Sequence, residues 1–199
     1  MAELPDRAIV HVVDDDVDLG QSVARLLGRH GHATRAFSTP EAMLQAQPQQ
    51  AAHCLVTDVM MGDTDGFSLA EQIRQRDPGV AIIFMTAWPT TANAVDAIRR
   101  YGGLDYLEKP LDEDRLIDAV AEGVAWSRRR RAALARIDAL TPRERDVLDR
   151  LAQGMSNKMV AAELGLSPKT IEDHRAAIVA KTGASGSAGL IALMRDMRD

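Results

Sequence analysis

The stretch AIVHVVDDDVDL, residues 8–19, joins an apolar run to a cluster of acidic residues. The run from Ala8 to Val13 is interrupted only by His11, and near-continuous apolar runs are typical of parallel strands buried on both faces. Three acidic residues follow it without a break: Asp14, Asp15 and Asp16. Adjacent carboxylates repel one another and are costly to bury, so their place at the end of a core strand requires a chemical explanation.

The first 125 residues alternate between short apolar runs and amphipathic stretches. We predict strands at 8–13, 32–37, 53–57, 80–85 and 104–107. Helical periodicity lies between and after them, at 17–29, 40–47, 66–76, 91–100 and 112–126. This alternation is typical of an α/β fold, in which a doubly wound five-stranded parallel sheet is covered by helices on both faces. Such folds bind ligands at the carboxyl ends of their strands.

Polar residues follow the predicted strands at this edge of the sheet. Asp14 and Asp15 follow the first strand, and Asp58, Thr86 and Lys109 follow the third, fourth and fifth. Clustered carboxylate oxygens are the ligands that Mg²⁺ prefers, and the metal offsets their repulsion. An aspartate can also attack phosphorus, while a threonine and a lysine bind the peripheral phosphoryl oxygens. The spacing therefore predicts a magnesium-dependent aspartyl phosphate site.

Charge divides the chain into three segments. Residues 1–125 carry 10 basic and 20 acidic residues, residues 126–137 carry five arginines and no acid, and residues 138–199 carry nine of each. We predict a first domain, a basic helical linker and a second domain with these bounds. A single cysteine, Cys54, excludes an intrachain disulfide and a cysteine-based zinc cluster. Without an export pattern or a membrane-length apolar run, we expect a cytoplasmic protein.

Helix boundary signals dominate the last segment. LTPRE offers Thr141 as an N-cap, a proline at the first helical position, and Glu144 to complete a capping box. Further helices are predicted from Ser156 to Gly165, from Ser167 to Gly183, and in SAGLIALMRDM. This all-α, four-helix segment is typical of a helix-turn-helix unit, although a plain helical bundle fits the periodicity equally well. Its neutral charge counts against nucleic acid as a ligand.

Residues 7–125 resemble the receiver domain of two-component response regulators. The resemblance rests on VVDDD, LVTDVMMGDTDGF, FMTA and YLEKP. It implies the flavodoxin-like strand order 2-1-3-4-5, a phosphoacceptor (Asp58) and a phosphate-binding lysine (Lys109) before a cis Pro110. The switch pair would be Thr86 and Tyr106. The Mg²⁺ ligands would be Asp14, Asp15, Asp58 and the backbone carbonyl of Met60.

Two positions depart from the receiver pattern. Met61 is followed by Gly62 where the family usually has proline, and glycine loosens the loop that presents the Met60 carbonyl. Trp88 lies two residues after Thr86, at a position that governs the access of water to the phosphoryl group. Neither change replaces a residue of the predicted chemistry.

Residues 138–199 resemble the LuxR-type DNA-binding domain of FixJ/NarL-type regulators, on the segment LTPRERDVLDRLAQGMSNKMVAAELGLSPKTIEDHRAAIVAKTGA. By this resemblance, one set of residues would approach the DNA backbone: Asn157, Lys158, Lys169, Thr170, Arg175 and Lys181. A second set would lie nearest the base edges: Glu172, Asp173 and Ala176. Acidic side chains there can accept hydrogen bonds from cytosine amino groups.

The two resemblances together predict a regulator of transcription. A sensor histidine kinase would phosphorylate Asp58, and the phosphorylated protein would form a homodimer that binds a double-stranded DNA operator. RNA polymerase is a further partner that such a regulator can contact. Apart from its own phosphorylation and dephosphorylation, the protein would have no enzymatic activity.

Two other functions stay open on the sequence alone. DTDGFSL, residues 63–69, is similar to the nucleophile motif of haloacid-dehalogenase phosphatases, although Asp63 lies five residues beyond the strand end at Asp58. The second alternative is a constitutive DNA- or partner-binding protein whose receiver takes no phosphate, an alternative that Gly62 keeps open. Treatment with a small phosphodonor and Mg²⁺ separates the three functions. A response regulator would form a stable adduct, a phosphatase would turn over the donor rapidly, and a constitutive binding protein would not react.

Overall fold

The chain divides into two compact units between Arg128 and Arg129. Their structure is a computed structural model, which describes residues 7–46, 51–62 and 64–198. Asp63, the predicted nucleophile of the phosphatase alternative, lies outside the described residues. We describe each unit by itself.

The first unit contains a five-stranded parallel sheet. Its strands are β1 (Ile9–Val13), β2 (Ala33–Phe37), β3 (Cys54–Asp58), β6 (Ala81–Thr86) and β7 (Asp105–Glu108). They lie in the order β2-β1-β3-β6-β7. Two short antiparallel strands follow β3, namely β4 (Met60–Met61) and β5 (Thr64–Asp65). The helices are α1 (Val17–Arg29), α2 (Pro40–Ala46), α3 (Gly66–Arg76), α4 (Thr91–Arg99) and α5 (Glu113–Asp138), whose residues from Arg129 onward belong to the second unit. The predicted fold class and strand order are confirmed.

Burial explains why the central strands read as unbroken apolar runs. Every residue of β3 and β6 is buried, because both strands have a neighbour on each side and helices on both faces. Side chains of alternating direction fill separate cores on the two faces of the sheet, represented by Ile83 and Leu116 in one and by Leu55 and Ile73 in the other. The sheet therefore holds its carboxyl-end loops on a rigid base.

The second unit is helical, with α6 (Pro142–Ala152), α7 (Asn157–Leu164), α8 (Pro168–Thr182) and α9 (Gly186–Arg198). The predicted N-cap Thr141 accepts a hydrogen bond from the first helical turn, as do Ser156 and Ser167 at the predicted starts of the next two helices, and Thr141 and Glu144 form the predicted capping box. Glycines in the left-handed region end α7 and α8, as their position after the last apolar residue predicted. These local signals were enough to predict where the helices begin and end.

In the part of the chain that the structure describes, no single helix is long and apolar enough to cross a membrane. Taken together, α8 and α9 have the length and composition that a membrane span requires, but the chain bends by 60° at the break between them.

Candidate functional site

Three carboxylates converge at the carboxyl edge of the parallel sheet. Asp14 and Asp15 follow β1, Asp58 ends β3, and these two strands are direct neighbours. One carboxylate oxygen of each residue lies within 4.8 Å of the others. Asp16 has a different task, because its side chain caps α1 by accepting a hydrogen bond from the Leu19 amide at 3.0 Å. The acidic run is therefore divided between a cluster and a helix cap.

Lys109 binds two of these carboxylates. Its Nζ lies 2.8 Å from Asp14 Oδ2 and 2.6 Å from Asp58 Oδ2. Burial alone would lower the pKa of Lys109, but its hydrogen bonds with the two aspartates raise it. Burial also raises the pKa of Asp14, even though the hydrogen bond from Lys109 opposes that change. Three carboxylates face a single ammonium group, so the cluster keeps a net negative charge that can attract a cation.

This donor set fits Mg²⁺. The cluster offers only oxygen ligands, Asp15 is exposed to solvent, and Asp14 is almost fully buried. The residues that would hold the ion are therefore carboxylates whose mutual repulsion a divalent cation would relieve.

Thr86 and Tyr106 lie on β6 and β7, the next strands along the sheet. Thr86 is fully buried, and its Oγ1 accepts a hydrogen bond from the Trp88 amide at 3.1 Å. Tyr106 packs against the aromatic cluster that contains Phe84, and its buried hydroxyl has no hydrogen-bond partner among the described residues. Trp88 itself is 74% exposed.

The loop after Asp58 takes a path that proline could not follow. The Met60 amide donates to Asp58 Oδ1 at 3.3 Å, which holds the start of the loop against the Asp58 carboxylate. Gly62 has a φ of 57°, in the left-handed region, whereas proline is restricted to a φ near −65°. Gly62 therefore supports a loop conformation different from that of a Met-Pro sequence.

Sequence reasoning missed one residue of this site. A Cβ on Gly66 would lie 2.1 Å from the Asp58 carbonyl oxygen, which only glycine avoids. The Gly66 amide also donates to the Val59 carbonyl at 2.9 Å, so the start of α3 packs directly on the backbone that follows β3. The signal was the pair Asp65–Gly66, whose glycine is the first residue of the helix predicted at 66–76.

In the second unit, the exposed face of α8 carries the predicted base-reading residues. Glu172 and Asp173 are exposed, as is Ala176, whereas Ile171 and Ile178 are buried on the opposite face. Lys169 also belongs to the exposed face, with Nζ 3.2 Å from Asp173 Oδ1 and 3.9 Å from Glu172 Oε2. Exposed ion pairs of this kind are weak, so the acidic groups remain available to an incoming ligand.

Other predicted DNA-binding residues line a cleft of about 510 Å³. Asn157 and Lys158 open α7 beside it, and Arg175 of α8 donates to Ser187 Oγ at 3.2 Å. Thr170 shares a hydrogen bond with Ser167 at the start of α8. Lys181 is placed differently, since its Nζ lies 2.9 and 2.7 Å from the two carboxylate oxygens of Glu144.

A parallel α/β unit with a lysine-bridged acidic cluster at its strand ends, followed by a helix-turn-helix unit, defines a response regulator that controls transcription. Two family matches agree with this class. Residues 10–121 match the family described as response regulator receiver domain, and residues 138–194 match bacterial regulatory proteins of the luxR family. The chain belongs to the response regulator family, and it combines a receiver with a LuxR-type DNA-binding domain.

Relatives share this arrangement along nearly their whole length. The chain is 35% identical to the transcriptional regulatory protein FixJ of Bradyrhizobium diazoefficiens, over 92% of this chain and 93% of the relative. It is 33% identical to the C4-dicarboxylate transport transcriptional regulatory protein DctR of Rhodobacter capsulatus, over 91% and 96% of the two chains.

Solved structures lead to the same class. Full-length FixJ from B. japonicum is 32% identical with a TM-score of 0.53, covering 96% of this chain and 97% of that structure. The response regulator StyR is 32% identical with a TM-score of 0.56, covering 95% and 98%. The predicted family, fold and function in two-component transcriptional regulation are confirmed, while the roles of individual residues stay predictions.

Proposed function

We propose that Asp58 accepts a phosphoryl group from the phosphohistidine of a sensor kinase. In this step a carboxylate oxygen of Asp58 attacks phosphorus, the bond from phosphorus to the histidine nitrogen breaks, and the kinase histidine keeps that electron pair. The observation that carries the proposal is Lys109, whose Nζ bridges Asp14 and Asp58 at 2.8 and 2.6 Å. A lysine in this position can transfer its hydrogen bond from the carboxylate to a phosphoryl oxygen as charge builds there.

Asp14, Asp15, Asp58 and the Met60 carbonyl would hold Mg²⁺. When bound, the ion supplies positive charge that offsets the carboxylates and polarises the phosphoryl group. Asp14 supports this role because its burial raises its pKa, which a nearby cation would reverse.

Thr86 would carry the signal away from Asp58. Its hydroxyl is held by the Trp88 amide, and a hydrogen bond from Thr86 to a phosphoryl oxygen would compete with that contact. Tyr106 lies one strand further along the sheet, with a buried hydroxyl that has no partner among the described residues. A shift of Thr86 would therefore change the packing around Tyr106 and, through it, the surface beside α4.

The surface beside α4 is where we propose that phosphorylation promotes a homodimer. Val95 and Ile98 are 45% and 44% exposed on α4, and Arg99 adds positive charge. The start of α5 nearby in sequence is acidic, and Arg115 there binds Asp105 of β7 at 2.6 Å. An apolar surface that mixes both charges suits a self-complementary contact between two copies.

A dimer would present two copies of α8 to a double-stranded DNA operator, and we propose that the protein acts there in the cytoplasm. Glu172, Asp173 and Ala176 would face the base edges. The DNA backbone would be contacted by Asn157, Lys158, Lys169, Thr170 and Arg175. RNA polymerase would be contacted by the DNA-bound dimer.

Treatment of the full-length protein with a small phosphodonor and Mg²⁺ tests the acceptor. We expect an adduct of about 80 Da in the wild type. Asp58→Asn should abolish the adduct, because the amide keeps the shape of the side chain but is not a nucleophile. Asp65→Asn is the matched control, since Asp65 caps α3 and asparagine is an equally good N-cap. Labelling of the Asp58→Asn protein at the wild-type rate would refute the assignment, and donor turnover without an adduct would indicate a phosphatase.

A further inference from the structure

Arginines donate to the last turns of helices in the second unit. Arg143 Nη2 donates to the Leu164 carbonyl at the end of α7 at 2.8 Å, and Arg136 Nε donates to the Thr182 carbonyl at the end of α8 at 2.5 Å. Arg130, which is 8% exposed, donates to the Met197 carbonyl near the end of α9. The final carbonyls of a helix lack partners within the helix, and cations are favoured there by the helix dipole.

The end of α8 is held a second time, one residue earlier. Lys181 Nζ donates to both carboxylate oxygens of Glu144, and Glu144 Oε2 also accepts from the Thr141 amide at 2.7 Å. The hydrogen bond from Lys181 lowers the pKa of Glu144, so this carboxylate remains charged. Glu144 is itself 5% exposed. Consecutive residues at the end of α8 are therefore bound from two other helices, α5 and α6.

We propose that Arg136 and Glu144 are positioning residues for DNA recognition, which fix the angle at which α8 presents its exposed face. This inference rests on the proposed DNA binding by α8. It assigns Lys181 to the interior contact with Glu144 and not to a DNA phosphate, and it assigns Arg136 to the end of α8 and not to the DNA.

The geometry explains why the end of α8 controls its exposed face. At a rise of about 1.5 Å per residue, Glu172 lies about 15 Å along the helix from Thr182, so a tilt of about 5° at the end moves it by about 1.3 Å. Hydrogen bonds to base edges do not tolerate such a shift, because their strength falls steeply with distance and angle. Non-specific attraction to phosphates tolerates it, since that attraction depends on charge and not on register.

The experiment compares specific and non-specific binding of the full-length protein, with phosphodonor and Mg²⁺ present at every step. One probe is a duplex enriched by the wild-type protein from a random-sequence pool, and the other is a scrambled duplex of the same length. Affinities are measured by fluorescence anisotropy over a series of KCl concentrations. The variants are Arg136→Met, Arg136→Lys and Glu144→Gln, and the matched control is Arg129→Met, an exposed arginine of the same helix.

We expect Arg136→Met to weaken binding to the enriched duplex at least about tenfold, while binding to the scrambled duplex changes less than about twofold. The slope of log K against log salt should not change, and Arg136→Lys should recover most of the affinity because lysine still donates to the carbonyl. Glu144→Gln should show the same loss of specificity, since glutamine keeps the capping box but releases Lys181.

Two results would overturn the proposal. A fall of about 0.9 in the salt slope for Arg136→Met would mean that Arg136 contacts a phosphate directly. Unchanged affinity of Glu144→Gln and Arg136→Met for the enriched duplex would mean that the end of α8 does not control recognition. Should circular dichroism show that Arg136→Met does not fold, Glu144→Gln and Arg136→Lys decide the question. Wild-type protein that enriches no sequence would instead contradict DNA binding itself.

Discussion

We expect the replacement of His11 by leucine to flatten the dependence of receiver stability on pH below about pH 6.5. His11 lies on β1 with 0% exposure, and its ring packs edge-on against Phe37 at a centroid distance of 5.1 Å. Neither ring nitrogen has a hydrogen-bond partner in the described residues. Burial, with a smaller effect of the Arg35 charge, lowers the pKa of His11 from 6.5 to about 4.

The sign and size follow from proton linkage. As pH falls below 6.5, the unfolded chain protonates at His11 while the folded protein does not, so stability decreases until the folded group also protonates near pH 4. The His11 contribution is fully present above pH 6.5. Between pH 7.5 and pH 5 this group alone should reduce the free energy of unfolding by about 2 kcal/mol.

Urea unfolding followed by tryptophan fluorescence measures this effect in the full-length protein, because both tryptophans, Trp88 and Trp126, belong to the first unit. Stability is compared at pH 7.5 and pH 5 in the wild type and in His11→Leu, with the exposed His30→Gln as control. Asp14 has the opposite tendency, since its raised pKa adds stability at low pH that is lost as pH rises. That contribution is common to all three proteins and cancels in the comparison.

Equal pH dependence in the wild type and His11→Leu would refute this reasoning, as would an imidazole pKa near 6.5 for His11 in an NMR titration. At neutral pH we expect His11→Leu to be at least as stable as the wild type, because an apolar group replaces buried polar atoms that lack partners.

Three further outcomes are expected. Without metal, Asp15→Asn should raise the free energy of unfolding of the receiver by about 1 kcal/mol and so raise its melting temperature. The same change should remove most of the stabilisation of the receiver by Mg²⁺. A lower metal-free melting temperature would contradict a repulsive cluster. Gly66→Ala should lower the free energy of unfolding by about 3 kcal/mol or more, because its Cβ would lie 2.1 Å from the Asp58 carbonyl oxygen, whereas Gly28→Ala, whose Cβ would lie 3.5 Å from Thr34 Oγ1, should not destabilise the protein. Sedimentation velocity should show a monomer that becomes a dimer with phosphodonor, while Ile98→Glu stays monomeric; a tight dimer in both states would exclude the dimerisation switch.

Local patterns determined the boundaries of most elements. Thr141, Pro142 and Glu144 marked the start of α6 because a capping box is formed by residues three positions apart. Likewise, continuous apolar runs identified β3 and β6, since strands with neighbours on both sides are buried throughout. Predicted and observed ends differ by one or two residues, except that the fifth helix continues through the arginine run to Asp138, as its composition suggested.

The location of the acidic site could also be predicted from the sequence. Parallel strands have their carboxyl ends at one edge, so residues that follow different strands must meet once the strand order is known. Asp14, Asp58 and Lys109 come together for this reason, although 95 residues separate the lysine from the first aspartate. The hydrogen bonds among these residues, and the raised pKa of the buried Asp14, could not be predicted because they depend on the packing around them.

The sequence by itself determined the elements, the order of the strands through a family resemblance, and the edge at which the chemistry lies. Only the tertiary structure decided what the long basic side chains bind. The family resemblance placed Lys181 near the DNA backbone, but the folded second unit brings its ammonium group to Glu144, and it brings Arg136 to the Thr182 carbonyl. The physical reason is that these partners are a backbone oxygen and a capping carboxylate far away along the chain. No local pattern encodes such a contact, because it exists only after the helices have packed.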